Sequence, residues 1–396
     1  MSRSDTVDVD IAVAVAGLAG LSFVVWLERL HARTGEPIPS VRLIDPRPDY
    51  RHDRNWCFWE GVDHPFSAGI THRWPRWEVA HAGTTVSATA PGHPYAVLPA
   101  ENLYRIATHC IDSHAEFTLE LGRRVEHVES ADDAVIVRTD RDTIRARGLI
   151  DTRPPCITEA TARSGLWQVF HGAEITVGHD RFDPTKATLM DFASDHDDIR
   201  FCYILPTSAR RALVEITAFR RDPCAADIPA HLDTWIDDHL GDHATRVREE
   251  QGRLPMMPLP EPECGDPRII TAGTAAGWMR PASGYLFSAC QRGARDLAQQ
   301  ALCAKASSTW HWRRPRVRAA DLDLLDRIFL HALRGAPADA PTWFLRLFER
   351  TGGERQARFL SDVPTLGDRL AIIAALPPGP MLHAARQCLR PARAAP

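Results

Sequence analysis

The chain of 396 residues is 44% hydrophobic and 25% charged, with a formal net charge of −4. This is an ordinary soluble composition with room for two or three structural units, and it exerts no overall pull toward nucleic acid. The nine cysteines are scattered and form no C-x-x-C pair. Neither a zinc ribbon nor a disulfide framework is therefore indicated, and a reducing cytoplasm is the expected compartment.

In chain order, the first feature is "VDIAVAVAGLAGLSFVVWLERL", residues 9–30, uncharged from Ile11 to Leu27. Its flank sets Arg3 against Asp5, Asp8 and Asp10, the wrong sign for a secretory signal. The uncharged run is 17 residues and contains Gly17 and Gly20. A spanning helix needs about 20 apolar residues. The reading that fits is a buried strand, a glycine turn and a helix closed by Gly35, followed by a strand from Val41 to Asp45. This is the dinucleotide-binding order, in which small residues at Gly17, Ala19 and Gly20 let the backbone approach a pyrophosphate and Asp45 accepts from a ribose hydroxyl. In G-x-G-x-x-G register, valine at position 15 stands where the first glycine makes the tight turn.

Residues 46–94 read as irregular and aromatic, and "LPAENLYRIATHCIDS" as a helix. Three short strands follow around the "SADD" and "DRD" turns, the last ending in Asp151. Residues 166–220 alternate strand and turn, as in a mixed or antiparallel sheet, and an amphipathic helix with an extended exit follows. "PRIITAGTAAGWMRPASGYLFSACQRGARDLAQQAL" reads as a strand, a small-residue turn and a long helix from about Tyr285. The last 75 residues are helical and apolar-rich. Two glycine-rich turns from separated segments favour FAD, which needs contacts at both ends, over NAD. The second turn offers Gly273, Thr274, Gly277, Pro281, Gly284 and Tyr285, with a helix N-terminus for the phosphate.

The expected class is α/β: a Rossmann-type FAD-binding domain with a mixed or antiparallel-sheet substrate domain and a helical C-terminal part. Residues 1–55, 95–165 and 265–310 are assigned to the FAD-binding domain, 56–94 and 166–264 to the substrate domain, and 315–396 to the helical region.

Several motifs, in order along nearly the whole chain, resemble those of bacterial lycopene β-cyclases, the flavoprotein carotenoid cyclases. They are "AGLAGLS", "LIDP", "DRNWCFWE", "DTRPP", "WQVFHGAEI", "TLMDF", "CYILPTSARRALVEIT", "GTAAGWMRPASGYLFSACQR" and "RFLSD". The chain departs from the family at Val15, at Asn55, at Ala282, and at Ile216, where many members carry a second acid in E-[DE]-T. The resemblance implies acid-initiated, non-redox closure of lycopene ends to β-ionone rings. It also implies reduced FAD, with NAD(P)H keeping it reduced, a lipophilic polyene substrate and peripheral contact with the membrane. A flavin monooxygenase or reductase of an isoprenoid, or a diverged cyclase of another polyene with weakened flavin binding, are the alternatives.

Such a reaction needs a buried carboxylic acid, aromatic faces for the cation, and a base. Glu215, the first Glu of the E-x-T element, is the expected acid; on residues alone it also suits a strand carboxylate paired to Arg210 or Arg211. Trp56, Phe58 and Trp59 are expected to wall the pocket or, as plainly, to pack a loop. Glu60 and Asp53 follow Glu215 as a base or flavin contacts. His239 and His243, with Asp238 and Asp242, have metal-ligand spacing, but a solvated helix face accounts for them, and no metal is expected. "WHWRRPRVR" and "PTWFLRLF" read as a patch at headgroup depth or as inter-helix packing rather than a nucleic-acid site.

Overall fold

The computed structural model describes residues 8–51, 53–192, 198–241, 244–260, 265–304 and 310–389. Asp242 and His243 lie outside the described residues.

The uncharged opening run divides into the strand Val9–Ala14 and the helix Leu18–Thr34, closed by Gly35 at φ 75°. Both are buried, because the strand is central in a largely parallel sheet and the helix is covered by Phe287–Ala304. Trp26 Nε1 donates to Gln291 Oε1 at 3.1 Å, and the Gln291 amide donates to Ser22 Oγ at 3.0 Å, joining the two helices.

Val9–Ala14 pairs parallel with Val41–Asp45 on one side and with Thr143–Asp151 on the other, and Phe117–Leu121 extends the sheet. Thr143–Asp151 is shared along its free edge. Its first half pairs antiparallel with Val135–Thr139, and Leu149–Asp151 pair parallel with Ile269–Thr271. A strand from far along the chain thereby brings the second glycine turn beside the first.

The second sheet has seven strands: Ala244–Met256, Leu166–Val177, Arg211–Arg220, Ile199–Ser208, Lys186–Phe192, Arg76–His81 and Thr84–Thr89, in that spatial order. Strand alternation divides its faces. Ala212, Val214, Ile216 and Ala218 pack on the helix Ile228–His239 through Ile228, Leu232 and Ile236. Leu213, Glu215, Thr217 and Phe219 face the other way, toward a cavity closed by the C-terminal helices.

One expectation is corrected. Residues 46–94 are not irregular: they form Asn55–Trp59 and His72–Trp74, which pair with Tyr95–Pro99, and two strands of the second sheet. Aromatic residues hide the alternation of Asn55–Trp59, whose partner Tyr95–Pro99 is remote in sequence, whereas Arg76–His81 and Thr84–Thr89 form a local hairpin across Ala82 and Gly83. The aromatic residues of the "WHWRRPRVR" and "PTWFLRLF" segments follow the packing alternative, while His311, Arg313, Arg314 and Arg316 stay exposed. Trp310 packs edge-on against Gly148, where an added Cβ would meet Trp310 Cδ1 at 2.7 Å. Trp343, Phe344 and Phe348 are buried in the core of the second sheet. Periodicity reveals an apolar face but not what covers it.

Candidate active site

Val15 adopts φ 75°, the left-handed conformation that the missing glycine would have supplied. The turn geometry therefore survives with a β-branched residue in it. Around the turn, Val15 N–H donates to Ile44 O at 2.8 Å, and Thr152 Oγ1 donates to Ala14 O at 2.9 Å. Gly17 precedes the helix with no side-chain cap, and a Cβ there would meet nothing within 4 Å. Gly20 is needed for contact, since a Cβ would lie 2.9 Å from Val13 Cγ1 and 3.0 Å from Val15 O. In the second turn Gly273 has φ 71°, and a Cβ on it would approach Ala19 Cβ at 3.3 Å. The two turns thus touch, leaving uncapped amides and open space at the helix start.

Asp45 is fully buried, with both oxygens taken by Arg47: Nε donates to Oδ1 at 2.9 Å and Nη2 to Oδ2 at 2.7 Å. Arg47 Nη2 and Tyr50 OH also donate to Ala16 O, at 3.1 and 2.8 Å. A ribose reaches Asp45 only if Arg47 gives way. Asp151 is held in the same manner by Arg153, and its carbonyl accepts from Ala272 N–H at 2.8 Å. Gly277, at φ 71°, ends the second turn, and its carbonyl accepts from Arg318 at 2.7 Å. Pro281 is buried beside Arg280, whose N–H donates to Tyr285 O, and Gly284, at φ 72°, donates back to Arg280 O.

Beyond the second turn lies a cavity of about 830 Å³. Its wall includes Thr274, Gly284 and Tyr285 from the turn, Trp56 and Trp59 from Asn55–Trp59, and Glu215 from the second sheet. Trp59 is 1% exposed, lies 4.5 Å from Tyr95 and 5.2 Å from Tyr285 between ring centroids, and its Nε1 has no hydrogen-bond partner among the described residues. Tyr95 OH shares hydrogen bonds with Tyr203 OH at 2.8 Å and Tyr285 OH at 3.2 Å. Burial holds all three phenols above the ordinary tyrosine range.

Glu215 is 7% exposed and accepts from Thr217 Oγ1 at 2.6 Å. Burial, reinforced by the charge of Glu250, pushes its carboxyl up to about 8 against the pull of the Thr217 hydrogen bond. It is paired to neither nearby arginine: Arg210 binds Asp180, and Arg211 binds Glu174.

The structure does not bring every expected residue to this cavity. Glu60 turns out of it and pairs with Arg73. Phe58 does not line the cavity: it stacks on Phe287 with centroids 3.9 Å apart, on the side of its strand opposite Trp59. Asp53 lines the cavity and accepts from Tyr104 OH at 3.1 Å. His239 stacks on Trp235 at 4.4 Å, and no group of three or more His, Cys, Asp or Glu that could hold a metal occurs among the described residues.

Sequence reasoning missed Glu250, which lines the same cavity from Ala244–Met256. The strand reads as a polar, charged stretch, and only the sheet register reveals which of its residues face inward.

A profile of the lycopene cyclase protein family matches residues 10–386. The chain belongs to the lycopene cyclase family. A relative in it, the lycopene beta-cyclase of Pantoea ananas, is 25% identical over 392 residues, covering 95% of this chain and 96% of that protein. The family's fold is shared with flavin-dependent enzymes. A geranylgeranyl bacteriochlorophyll reductase-like protein from Thermoplasma acidophilum superposes with a TM-score of 0.64 at 13% identity, covering 95% of this chain and 98% of that one. The flavin-dependent monooxygenase PieE, solved with FAD and substrate, gives 0.61 at 17% identity, over 93% of this chain and 72% of that one. Against the family pattern, the Ile216 departure is remote from the cavity, because that side chain points to the helix Ile228–His239.

Proposed function

We propose that the chain is a lycopene β-cyclase that closes the ends of a linear carotenoid to β-ionone rings by proton transfer without net redox. The observation that carries this reading is Glu215: a carboxyl poised to be protonated at neutral pH, facing a large, mostly apolar cavity walled by aromatic rings. Such a carboxyl can deliver a proton to a terminal C=C where water is excluded. The faces of Trp56, Trp59 and Tyr285 stabilise the cation, by roughly 1–2 kcal/mol each when desolvated. Attack by a neighbouring C=C closes the ring, and loss of a ring proton completes an isomerisation.

FAD fits the two turns. The uncapped amides after Gly17 and the open space at that residue suit a pyrophosphate, and Gly273, Thr274 and Gly277 close the other side. Reduced FAD would supply an electron-rich ring for cationic intermediates, with NAD(P)H serving only to keep it reduced. Gly284 and Tyr285 link the turn to the cavity wall.

No helix among the described residues is long and apolar enough to cross a membrane. Leu366, Leu370, Ile373, Leu382 and Leu389 are nevertheless exposed on Leu366–Ala375, on Pro378–Cys388 and just beyond it. Ile373 and Leu382 also line the cavity, so its mouth opens within this apolar surface. From Arg369 to Pro396 the sequence has four arginines and no acid. That combination suits a leaflet of anionic lipid, from which a polyene would enter without crossing water.

The test is expression in cells that accumulate lycopene. Appearance of β- or γ-carotene is expected; unchanged lycopene beside a folded, flavin-loaded protein overturns the reading.

A further inference from the structure

Glu215 and Glu250 belong to one lateral row of the second sheet. Gly172 of the strand Leu166–Val177 pairs with Glu215 on one side and with Glu250 on the other. Laterally paired residues point to the same face, so both carboxyls project into the cavity, about 10 Å apart at their Cα atoms. The gap between them exists because residue 172 has no side chain. A Cβ there would lie 2.9 Å from Glu215 Cβ, too close to fit without displacing it.

The two acids are held differently. Glu215 has a threonine hydroxyl and, among the described residues, no paired cation, whereas Glu250 accepts from the Asn55 amide at 2.9 Å and meets Arg248 Nη1 at 2.9 Å. One is built as a neutral acid and the other as a carboxylate. Asn55 and Ile216 are two of the positions where the chain departs from its family. The acid absent at position 216 could not have reached this face, and Asn55 anchors one that does.

We propose that Glu250 is the proton acceptor of ring closure, a catalytic residue paired with Glu215 across Gly172. This assignment rests on the cyclase reading above. Glu215 gives its proton to the terminal C=C and becomes a carboxylate. The ring cation then loses a proton to the Glu250 carboxylate as the ring C=C forms. Transfer of that proton from Glu250 to Glu215 across the gap restores both groups, with no atom or electron gained.

The test compares wild type with Glu250→Gln, purified with reduced FAD and given lycopene in liposomes. The variant is expected to form β-rings at least about a hundredfold more slowly while binding FAD normally, the usual loss when a general base is removed. Glu250→Asp, which keeps the charge one methylene short, is expected to retain part of the rate. Asn55→Asp, which sets a second carboxylate against Glu250, is expected to slow the reaction and serves if Glu250→Gln does not accumulate. Wild-type rates in the folded Glu250 or Asn55 variants overturn the assignment alone; a wild type that forms no ring overturns the cyclase reading and this assignment together.

Discussion

Arg280 and Asp326 form a buried ion pair, Nη2 to Oδ1 at 2.8 Å, that fastens the second glycine turn to the helix Ala320–Gly335. Asp326 also accepts from Ala282 N–H at 3.3 Å, and the guanidinium lies 4.1 Å over the Phe359 ring. The pair fixes the loop that carries Gly284 and Tyr285 relative to the cavity's helical wall. Breaking a buried pair costs about 3–5 kcal/mol, and Arg280 keeps a second, longer partner in Asp362 Oδ1 at 3.5 Å. Asp326→Asn is expected to lower stability by an amount near the bottom of that range, read from denaturant unfolding. A combined Arg280→Met and Asp326→Leu change is expected to restore only part of it, because Phe359 O, Ala282 N–H and Asp362 also lose a partner. A loss that persists in full in the double variant would show that the charges are needed for more than each other.

The acid role of Glu215 sets a pH profile. Only the protonated form can start the reaction, so ring formation is expected to fall tenfold per pH unit well above about 8, and to fall again in acid, where the Glu250 carboxylate that accepts the ring proton is itself protonated. Glu215→Gln is expected to abolish ring formation with flavin absorbance retained. Ring formation at the normal rate in that variant removes Glu215 from its role.

The same carboxyl costs stability. Its folded value is raised above the ordinary 4.5 to about 8, so the native state binds more protons than the unfolded state between those values. Stability therefore declines as pH rises through that window, and the penalty on the native state at neutral pH is on the order of a few kcal/mol. Glu215→Gln is expected to raise the Tm most near pH 8 and hardly at all near pH 4.5. An equal gain at both values would point to packing instead of charge.

Val15 holds a glycine conformation at a cost of about 1–3 kcal/mol for a residue with a side chain. Val15→Gly loses part of that gain to chain entropy, about 0.5–1 kcal/mol. The variant is expected to be somewhat more stable and to bind FAD severalfold more tightly, measured by fluorescence titration. Weaker binding would mean that the valine side chain itself contributes to the turn.

The exposed leucines can be tested without touching the chemistry. Leu366→Asp combined with Leu370→Asp, neither of which lines the cavity, is expected to reduce binding to vesicles containing phosphatidylglycerol at least tenfold by co-sedimentation, since each apolar side chain buried contributes about 1.5–3 kcal/mol. Unchanged binding by the folded variant would locate lipid contact elsewhere.

The opening strand, turn and helix were legible in the sequence because their signals are local: an uncharged run, small residues at the bend, and an acid at the end of the next strand. The alternation around Glu215 was local in the same way and placed it with Leu213 and Thr217 on one face. What faced that surface was not local. Glu60 turned to Arg73, the tryptophans and phenylalanines of "WHW" and "PTWFLRLF" went into the core, and the exposed apolar surface proved to be on the last two helices. An amphipathic pattern is the same whether lipid or protein covers it. The partnership of Glu215 and Glu250 depends on strands 35 positions apart meeting at Gly172 in one register. Sequence sets each residue's side of its own strand; only the pairing of strands through their backbone hydrogen bonds decides which side chains share a row.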